Sequence, residues 1–228
     1  MKSLIIGAGQ IGTALYNILN KYYEGEVILT DKQVYPFDFD VIHICFPYSD
    51  NFIKEVKRYQ KEYKPKYTVI HSTVPVGTSA KLKALHSPMI GIHPFLEESI
   101  QTFTKFLGGK GVNEMADYFR RADIKVYLVD KAETTELMKL LSTTKYGWDI
   151  EFNKEVKRLC GTYNIPYEAW TLWTDNYNKG YEELGYPEYK RPQLVPIMKA
   201  TGGHCVTNNL DLLKSKVADI IKELNKAK

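Results

Sequence analysis

The sequence has 228 residues, of which 44% are hydrophobic and 25% are charged, and its net charge is +4. These values are ordinary for a soluble globular protein, and the basic residues form no dense block of the kind that favours nucleic-acid binding. No stretch approaches the ~18 consecutive apolar residues of a membrane span, and the apolar run near the N-terminus is too short for a signal peptide. We therefore expect a cytoplasmic protein without a nucleic-acid or membrane partner.

The first part of the chain alternates strand-like and helix-like segments. Short runs rich in β-branched residues predict strands at SLIIG, EVILTD, DVIHICF, YTVIHS and KVYLVD. Apolar residues at helical spacing predict helices over residues 10–21 and 51–63. This alternation is typical of an α/β fold with a doubly wound, parallel sheet of the Rossmann type. We expect this domain to span residues 1–130.

A glycine-rich turn follows the first predicted strand and opens the first predicted helix. The first glycine allows a tight turn, the second lets the backbone approach a pyrophosphate, and the third lets helix and strand pack closely. The N-terminus of the helix then faces the phosphates. The pattern predicts a dinucleotide site that involves Gly7, Gly9, Gln10, Ile11 and Gly12.

Further residues of this site are expected where the following strands end. Asp31 ends the second predicted strand, where a carboxylate can accept hydrogen bonds from the ribose hydroxyls and repels a 2′-phosphate. This favours NAD, although the adjacent Lys32 keeps NADP as an alternative. At the ends of the next two strands, we expect the cofactor to be lined by Phe46, Pro47, Ser72 and Thr73. His43 and Cys45 lie inside an apolar run and are predicted to pack in the core.

The pattern changes after about residue 130. From Thr134 to Tyr163 there is no proline and apolar residues recur at helical spacing, which predicts one long helix, loosened at Gly147 and stopped before Pro166. A final helix is predicted from about Leu210. Residues 131–228 are therefore expected to form a smaller, all-helical domain for dimerisation and substrate binding. Aromatic residues along the long helix predict a homodimer packed on it.

The three cysteines are Cys45, Cys160 and Cys205, and they form no CxxC pair. Their odd number and wide spacing argue against a disulfide framework or a metal site. A cysteine is reactive only where cations or a helix N-terminus lower the pKa of its thiol. Cys205 follows Gly-Gly-His and precedes a predicted helix start at Asn208 or Asn209, so this setting suits a nucleophile.

Five segments together resemble the nucleotide-sugar dehydrogenases, the UDP-glucose and GDP-mannose dehydrogenase family of the 6-phosphogluconate dehydrogenase-like superfamily. In chain order they are GAGQIG, VIHSTVPVGTSAKL (69–82), HPFLEES (93–99), AETTELMKLL (132–141) with its continuation EFNKEVKRLC, and GGHC (202–205). The resemblance covers nearly the whole chain. It implies an NAD-dependent oxidation of a hydroxyl group on a sugar-like small molecule.

The resemblance also implies roles for individual residues. Cys205 is the nucleophile, which forms a thiohemiacetal and then a thioester that is hydrolysed. Lys139 is the oxyanion donor and proton partner, and Glu98 and Thr73 position or activate the hydrolytic water. Thr143 stands where the family has an asparagine, and Asn209 stands where it has an aspartate; both belong to the implied catalytic set.

The chain also departs from the family elsewhere. The first of two family glutamates is replaced by Pro94, and the sequence ends at Lys228 without a counterpart of the C-terminal domain that binds the nucleotide of the sugar nucleotide. Because Thr143 and Asn209 alter two polar partners of the thiol, a single-step alcohol dehydrogenase or carbonyl reductase stays open as an alternative. A non-catalytic NAD-binding protein is the alternative from another functional class, although such a protein has no need of Lys139 or Cys205.

Overall fold

The computed structural model describes residues 1–31, 33–196, 198 and 206–226. These residues contain a seven-stranded sheet and nine α-helices. The strands are β1 (Ser3–Ile6), β2 (Val27–Thr30), β3 (Val41–Ile44), β4 (Tyr67–Ile70), β5 (Leu85–His86), β6 (Lys105–Gly108) and β7 (Val126–Val129). The helices are α1 (Gln10–Tyr22), α2 (Phe52–Tyr63), α3 (Thr78–Lys81), α4 (Leu96–Thr102), α5 (Val112–Arg120), α6 (Ala132–Thr162), α7 (Tyr167–Glu183), α8 (Thr207–Leu210) and α9 (Lys216–Lys226).

The sheet has the order β2-β1-β3-β4-β5-β6-β7. Neighbouring strands are parallel except β5 and β6, which pair antiparallel with His86 opposite Gly108. The chain leaves β1 for β2 on one side and returns to β3 on the other side. This topology confirms the predicted α/β class, and it places a switch point at the carboxyl ends of β1 and β3, where doubly wound sheets bind ligands.

The two faces of the sheet bury separate apolar clusters. On one face, Ile5 and Val69 pack with α1 and α5, including Leu15 and Phe119. On the other face, α2 presents the residues that its helical spacing predicts to share one side, and these lie against Leu4, Ile42 and Ile70: they are Phe52, Val56, Tyr59 and Tyr63. Full burial of each large apolar side chain contributes about 1.5–3 kcal/mol, so both faces stabilise the sheet.

One layer of the sheet also contains a buried chain of polar side chains. Nδ1 of His43 lies 3.0 Å from Nε2 of His71, and Nε2 of His43 lies 3.2 Å from the hydroxyl of Tyr118. Tyr118 donates to Ser3 at 2.9 Å, and Lys105 Nζ lies 3.2 Å from Nδ1 of His71. All five side chains are almost completely buried. This series of hydrogen-bonded side chains therefore links β6 to β1 across the face of the sheet that packs against α5.

The polar chain confirms that His43 is a core residue, and Cys45 is buried as well. Burial lowers the pKa of His43 to about 3 and raises the pKa of the Cys45 thiol to about 12. A thiol with so high a pKa is inert at neutral pH because the thiolate is the reactive form. Both residues therefore pack in the core, as predicted.

The structure divides into two compact units, residues 1–139 and residues 140–228. In the second unit, Val206, Leu210, Ala218 and Ile221 form an apolar cluster. Helix α6 runs without interruption through Gly147, so the predicted loosening there is wrong. A Cβ atom at Gly147 would lie 2.9 Å from a methyl carbon of Val206, so the glycine serves close packing instead.

The predicted final helix is present, but it begins later than the predicted start at about Leu210. Helix α8 ends at Leu210, and α9 begins only at Lys216. The Ser215 hydroxyl accepts a hydrogen bond from the backbone N–H of Ala218 at 3.1 Å, which is the contact of a helix N-cap. In the described part of the chain, no helix combines the length and the apolar character needed to cross a membrane.

Candidate active site

The glycine turn lies at the switch point of the sheet. Gly7 follows β1 with a φ of 108°, a left-handed conformation that favours glycine. A Cβ atom at Gly7 would lie 2.8 Å from the backbone nitrogen of Phe46, and one at Gly12 would lie 1.9 Å from the carbonyl oxygen of Gly7. Both glycines are therefore required by close backbone packing between β1, α1 and the end of β3.

Gly9 stands in a different environment. It is the residue before α1, it is exposed, and a Cβ atom there would meet nothing within 4 Å. The protein itself therefore gives no packing reason for a glycine at this position. Open space beside a backbone that leads into a helix of 13 residues fits a ligand phosphate, which would accept hydrogen bonds from the N-terminal N–H groups.

Asp31 directly follows β2 and is exposed. The N–H of Gly7 donates to the carbonyl of Thr30 at 2.8 Å, so the end of β2 is tied to the glycine turn. The Thr30 hydroxyl accepts a hydrogen bond from the N–H of Gln33 at 3.0 Å, which turns the chain just after Asp31. The carboxylate therefore stands at the edge where a dinucleotide on the glycine turn would extend its ribose.

The ends of β3 and β4 are joined by a side chain. The Ser72 hydroxyl donates to the carbonyl of Phe46 at 2.6 Å, while Pro47 is exposed and Phe46 is partly buried. Ser72 therefore fixes the backbone at the predicted cofactor edge with its own hydroxyl. Thr73, the next residue, is partly buried at the start of the loop that follows β4.

The loop after β4 is held by a residue that the sequence analysis does not single out. Glu136 of α6 is fully buried, and its carboxylate accepts hydrogen bonds from the N–H of Gly77 at 2.6 Å and of Ser79 at 2.7 Å. Gly77 has a φ of 89°, so this loop also contains a left-handed turn. A sequence signal existed: Glu136 precedes Lys139 by three residues, and therefore lies one helical turn away on the same side of α6.

Lys139 approaches the same edge of the sheet from α6. Its amine donates to the carbonyl of Met89 at 2.8 Å, just beyond the end of β5, and the side chain is partly buried. One turn earlier, the hydroxyl of Thr135 lies 2.7 Å from Nδ1 of the buried His86 in β5. These contacts position the amine over the carboxyl ends of the parallel strands.

Glu98 lies on the connection between β5 and β6. It belongs to α4 and is exposed, whereas the following Ser99 is buried and accepts a hydrogen bond from the N–H of Ile92 at 3.3 Å. The neighbouring Glu97 accepts a hydrogen bond from Asn17 of α1 at 2.6 Å. Helix α4 is thereby tied to the helix that starts at the glycine turn.

The remaining predicted residues belong to the second unit. Thr143 donates its hydroxyl hydrogen to the carbonyl of Leu140 at 3.0 Å, a contact within α6. Asn209 is buried in α8. Cys205 lies outside the described residues, so its predicted role as nucleophile stays a prediction. The structure thus brings the glycine turn, Asp31, Phe46, Pro47, Ser72, Thr73 and Lys139 to one edge of the first unit.

The residues of the glycine turn fit the pyrophosphate of a dinucleotide. Gly9 leaves open space where a pyrophosphate would lie, and the backbone around Gly7 and Gly12 is packed too closely for any other residue. Among the described residues, no group of three or more histidine, cysteine, aspartate and glutamate side chains is placed to hold a metal ion.

No protein-family model matches the sequence, and no curated protein matches it either. Its fold is similar to that of UDP-D-ManNAc dehydrogenase from Pyrococcus horikoshii, with a TM-score of 0.81 and 16% identity over 99% of this chain and 68% of that one. It is also similar to 3-hydroxyisobutyrate dehydrogenase from Mycobacterium tuberculosis, with a TM-score of 0.69 and 11% identity over 100% of this chain and 93% of that one.

A third similar structure is that of Psf3 in complex with NADP+ and 2-OPP, with a TM-score of 0.60 and 12% identity over 99% of this chain and 93% of that one. Identities this low establish the fold and leave the chemistry to the residues of the site. The chain therefore shares the fold of UDP-sugar dehydrogenases and of 6-phosphogluconate dehydrogenase-like hydroxyacid dehydrogenases, as the resemblance in its sequence predicts.

Proposed function

We propose that this chain is an NAD-dependent dehydrogenase that oxidises a hydroxyl group of a sugar, a sugar nucleotide or a small polar alcohol. The observation that carries the proposal is the position of the Lys139 amine at the same sheet edge as the open Gly9 turn. A cofactor-binding turn alone would serve any dinucleotide-binding protein. A partly buried amine beyond the carboxyl end of β5 adds a group for acid–base chemistry.

Oxidation of an alcohol needs a group that takes the hydroxyl proton and a donor that stabilises the developing oxyanion. When bound, the nicotinamide cofactor supplies the hydride acceptor. Lys139 has the chemistry for both remaining tasks, since its amine can accept a proton and its N–H groups can donate to an oxyanion. The carbonyl of Met89 orients the amine. Thr73, at the start of the adjacent loop, is the polar group proposed to position a water or the substrate hydroxyl.

The second oxidation step is proposed to depend on Cys205. A thiolate adds to an aldehyde to give a thiohemiacetal, which would lose a second hydride to a second NAD+ and become a thioester. Water would then hydrolyse the thioester, releasing the acid and regenerating the thiol. The variant Cys205→Ser is expected to keep NAD binding and to accumulate aldehyde without acid. Acid formation at the wild-type rate in this variant would show that the second step does not depend on Cys205. A wild type that forms no acid would restrict the proposal to single-step oxidation.

The direct test is a screen for NAD reduction across sugars, nucleotide sugars and hydroxy acids, in which the formation of NADH is measured by its absorbance. Lys139→Met is expected to lower kcat at least 100-fold and to leave NAD affinity unchanged, because the amine is proposed to act on the substrate. Lys110→Met is the matched control, since Lys110 is an exposed lysine. The proposal fails if no substrate class is oxidised, or if Lys139→Met is as active as the control.

We also propose that the protein works as a homodimer packed along its helical part. Several large apolar side chains of α6 and α7 are exposed, a pattern that marks interaction surfaces: Phe152 at 46%, Leu172 at 70% and Trp173 at 63%. Light scattering at micromolar concentration is expected to give twice the monomer mass of 26.3 kDa. A monomer at that concentration would contradict this proposal.

A further inference from the structure

The carboxylate of Glu136 is fully buried and faces the backbone of the loop after β4. One oxygen accepts the N–H of Gly77 and the other accepts the N–H of Ser79. Hydrogen bonds to an ionised carboxylate are roughly twice as strong as neutral ones. Helix α3, which starts here, has only four residues and no side-chain cap of its own. So short a helix is marginal by itself, and the shape of this loop therefore depends on Glu136.

The loop connects Glu136 to Thr73. Three residues separate Thr73 from Gly77, and the hydroxyl of Thr78 donates to the carbonyl of Pro75 at 2.6 Å, which tightens the turn between them. A shift of the Gly77 backbone is transmitted over this short, constrained stretch. The position of Thr73 is thus set from both sides, by β4 before it and by Glu136 after it.

Glu136 also stands one helical turn before Lys139. The same stretch of α6 contacts β5 through Thr135 and His86, and the amine of Lys139 reaches the carbonyl of Met89. The first two turns of α6 therefore contact the loop after β4 and the end of β5, and they also carry the lysine amine. A single rigid helix fixes the spacing between the Thr73 loop and Lys139.

We propose that Glu136 is a positioning residue that holds Thr73 in register with Lys139 during the oxidation step. This inference rests on the proposed dehydrogenase function. The carboxylate of Glu136 contacts the loop after β4 and not the glycine turn, so its loss is expected to affect NAD binding less than the oxidation step. A displacement of about 1 Å in a reacting group can lower a rate about 100-fold. Loss of the carboxylate is therefore expected to lower kcat more than it weakens NAD binding.

Three variants test this inference. Glu136→Gln keeps the size of the side chain, but its amide nitrogen cannot accept a hydrogen bond, so one of the two contacts is lost. Glu136→Asp keeps two acceptor oxygens on a chain that is one carbon shorter. Glu133→Gln is the matched control, since Glu133 lies on the same helix one turn earlier and is partly buried.

We expect kcat to fall about 10- to 100-fold in Glu136→Gln, to recover partly in Glu136→Asp, and to stay unchanged in Glu133→Gln. Amide hydrogen exchange at Gly77 and Ser79 should quicken in Glu136→Gln. NAD affinity should fall less than kcat, and the melting temperature should fall by no more than a few degrees because one buried hydrogen bond is lost. Faster exchange with an unchanged kcat overturns the inference. So does a parallel loss of kcat, NAD affinity and melting temperature in both Glu136 variants, because that marks a purely structural residue. A wild-type chain without activity overturns the proposed function, and this inference with it.

Discussion

The amine of Lys105 lies 3.2 Å from Nδ1 of His71 in a layer of the sheet where neither side chain is more than 6% exposed. The amine also donates to the carbonyl of Ser87 at 3.2 Å. Burial is the main cause that lowers the pKa of Lys105 from 10.5 to about 8. A buried ammonium group whose partners are all neutral destabilises the folded state. Its removal should therefore change both the stability of the protein and the pH dependence of that stability.

Lys105→Met is expected to stabilise the protein at pH 7. A pKa of about 8 in the folded state against 10.5 in the unfolded chain means that the charged amine destabilises the fold by about 3 kcal/mol below pH 8. The variant removes this cost, and Nδ1–H of His71 can still donate to the carbonyl of Ser87, 2.8 Å away. The free energy of unfolding from urea denaturation checks the expected gain.

The difference in stability between the wild type and Lys105→Met is expected to depend on pH. Between pH 8 and 10.5 the folded wild type releases its Lys105 proton before the unfolded chain does, so its stability rises relative to the variant. The advantage of Lys105→Met should therefore shrink across this window. Lys110→Met, at an exposed site, should change stability by less than about 0.5 kcal/mol throughout. A Lys105→Met protein that is less stable than the wild type at pH 7 would refute the argument.

Gly9 and Gly12 are expected to respond differently to alanine. At Gly12 the new Cβ would lie 1.9 Å from a carbonyl oxygen, so the protein should lose about 1–3 kcal/mol or more of stability. At Gly9 the φ of −79° suits any residue and the space is open, so stability should change little. The affinity of Gly9→Ala for NAD should nevertheless fall at least about tenfold, measured by calorimetry. Unchanged NAD affinity in Gly9→Ala would place the cofactor elsewhere.

Asp31 is expected to set the preference for NAD over NADP. Hydrogen bonds to a charged group contribute about 1.5–3 kcal/mol, so Asp31→Ser should weaken NAD binding about 10- to 100-fold and should relax the exclusion of a 2′-phosphate. Asp38→Ser is the control, because Asp38 is exposed on the same connection between β2 and β3. Calorimetric titration with both cofactors decides the question. NADP binding to the wild type as tightly as NAD would disprove this role of Asp31.

The sequence predicts those features that depend on neighbouring residues. The glycine turn and Asp31 follow from local spacing, and the helix of residues 132–162 follows from a long stretch without proline. Strands β5 and β6 escape the sequence pattern for different reasons. β5 has only two residues, whereas β6 is as long as the other strands but begins with Lys105, a residue type that is rarely buried. The antiparallel pairing of β6 is a contact between distant segments, which periodicity does not encode.

Glu136 is a residue of the candidate site whose role cannot be predicted from its sequence neighbours. A glutamate near the start of a helix usually lies on a solvated face, where it interacts favourably with the helix dipole. Its partners here, Gly77 and Ser79, are 59 and 57 residues away in the sequence. Only the fold reveals that the carboxylate is buried against them. The sequence therefore identifies Lys139 by resemblance and does not indicate that a buried carboxylate one helical turn before it holds the loop after β4.

The antiparallel pairing of β5 and β6 has a consequence for how such a protein can diversify. The segment between His86 and Lys105 leaves and re-enters the sheet at one edge, the edge of the glycine turn. A segment whose two ends are neighbours can be lengthened, shortened or exchanged without changing the register of any strand, because loop closure depends only weakly on length. Changes in the length or sequence of residues 90–104 can therefore alter substrate preference while the strands that carry the proposed cofactor site keep their register.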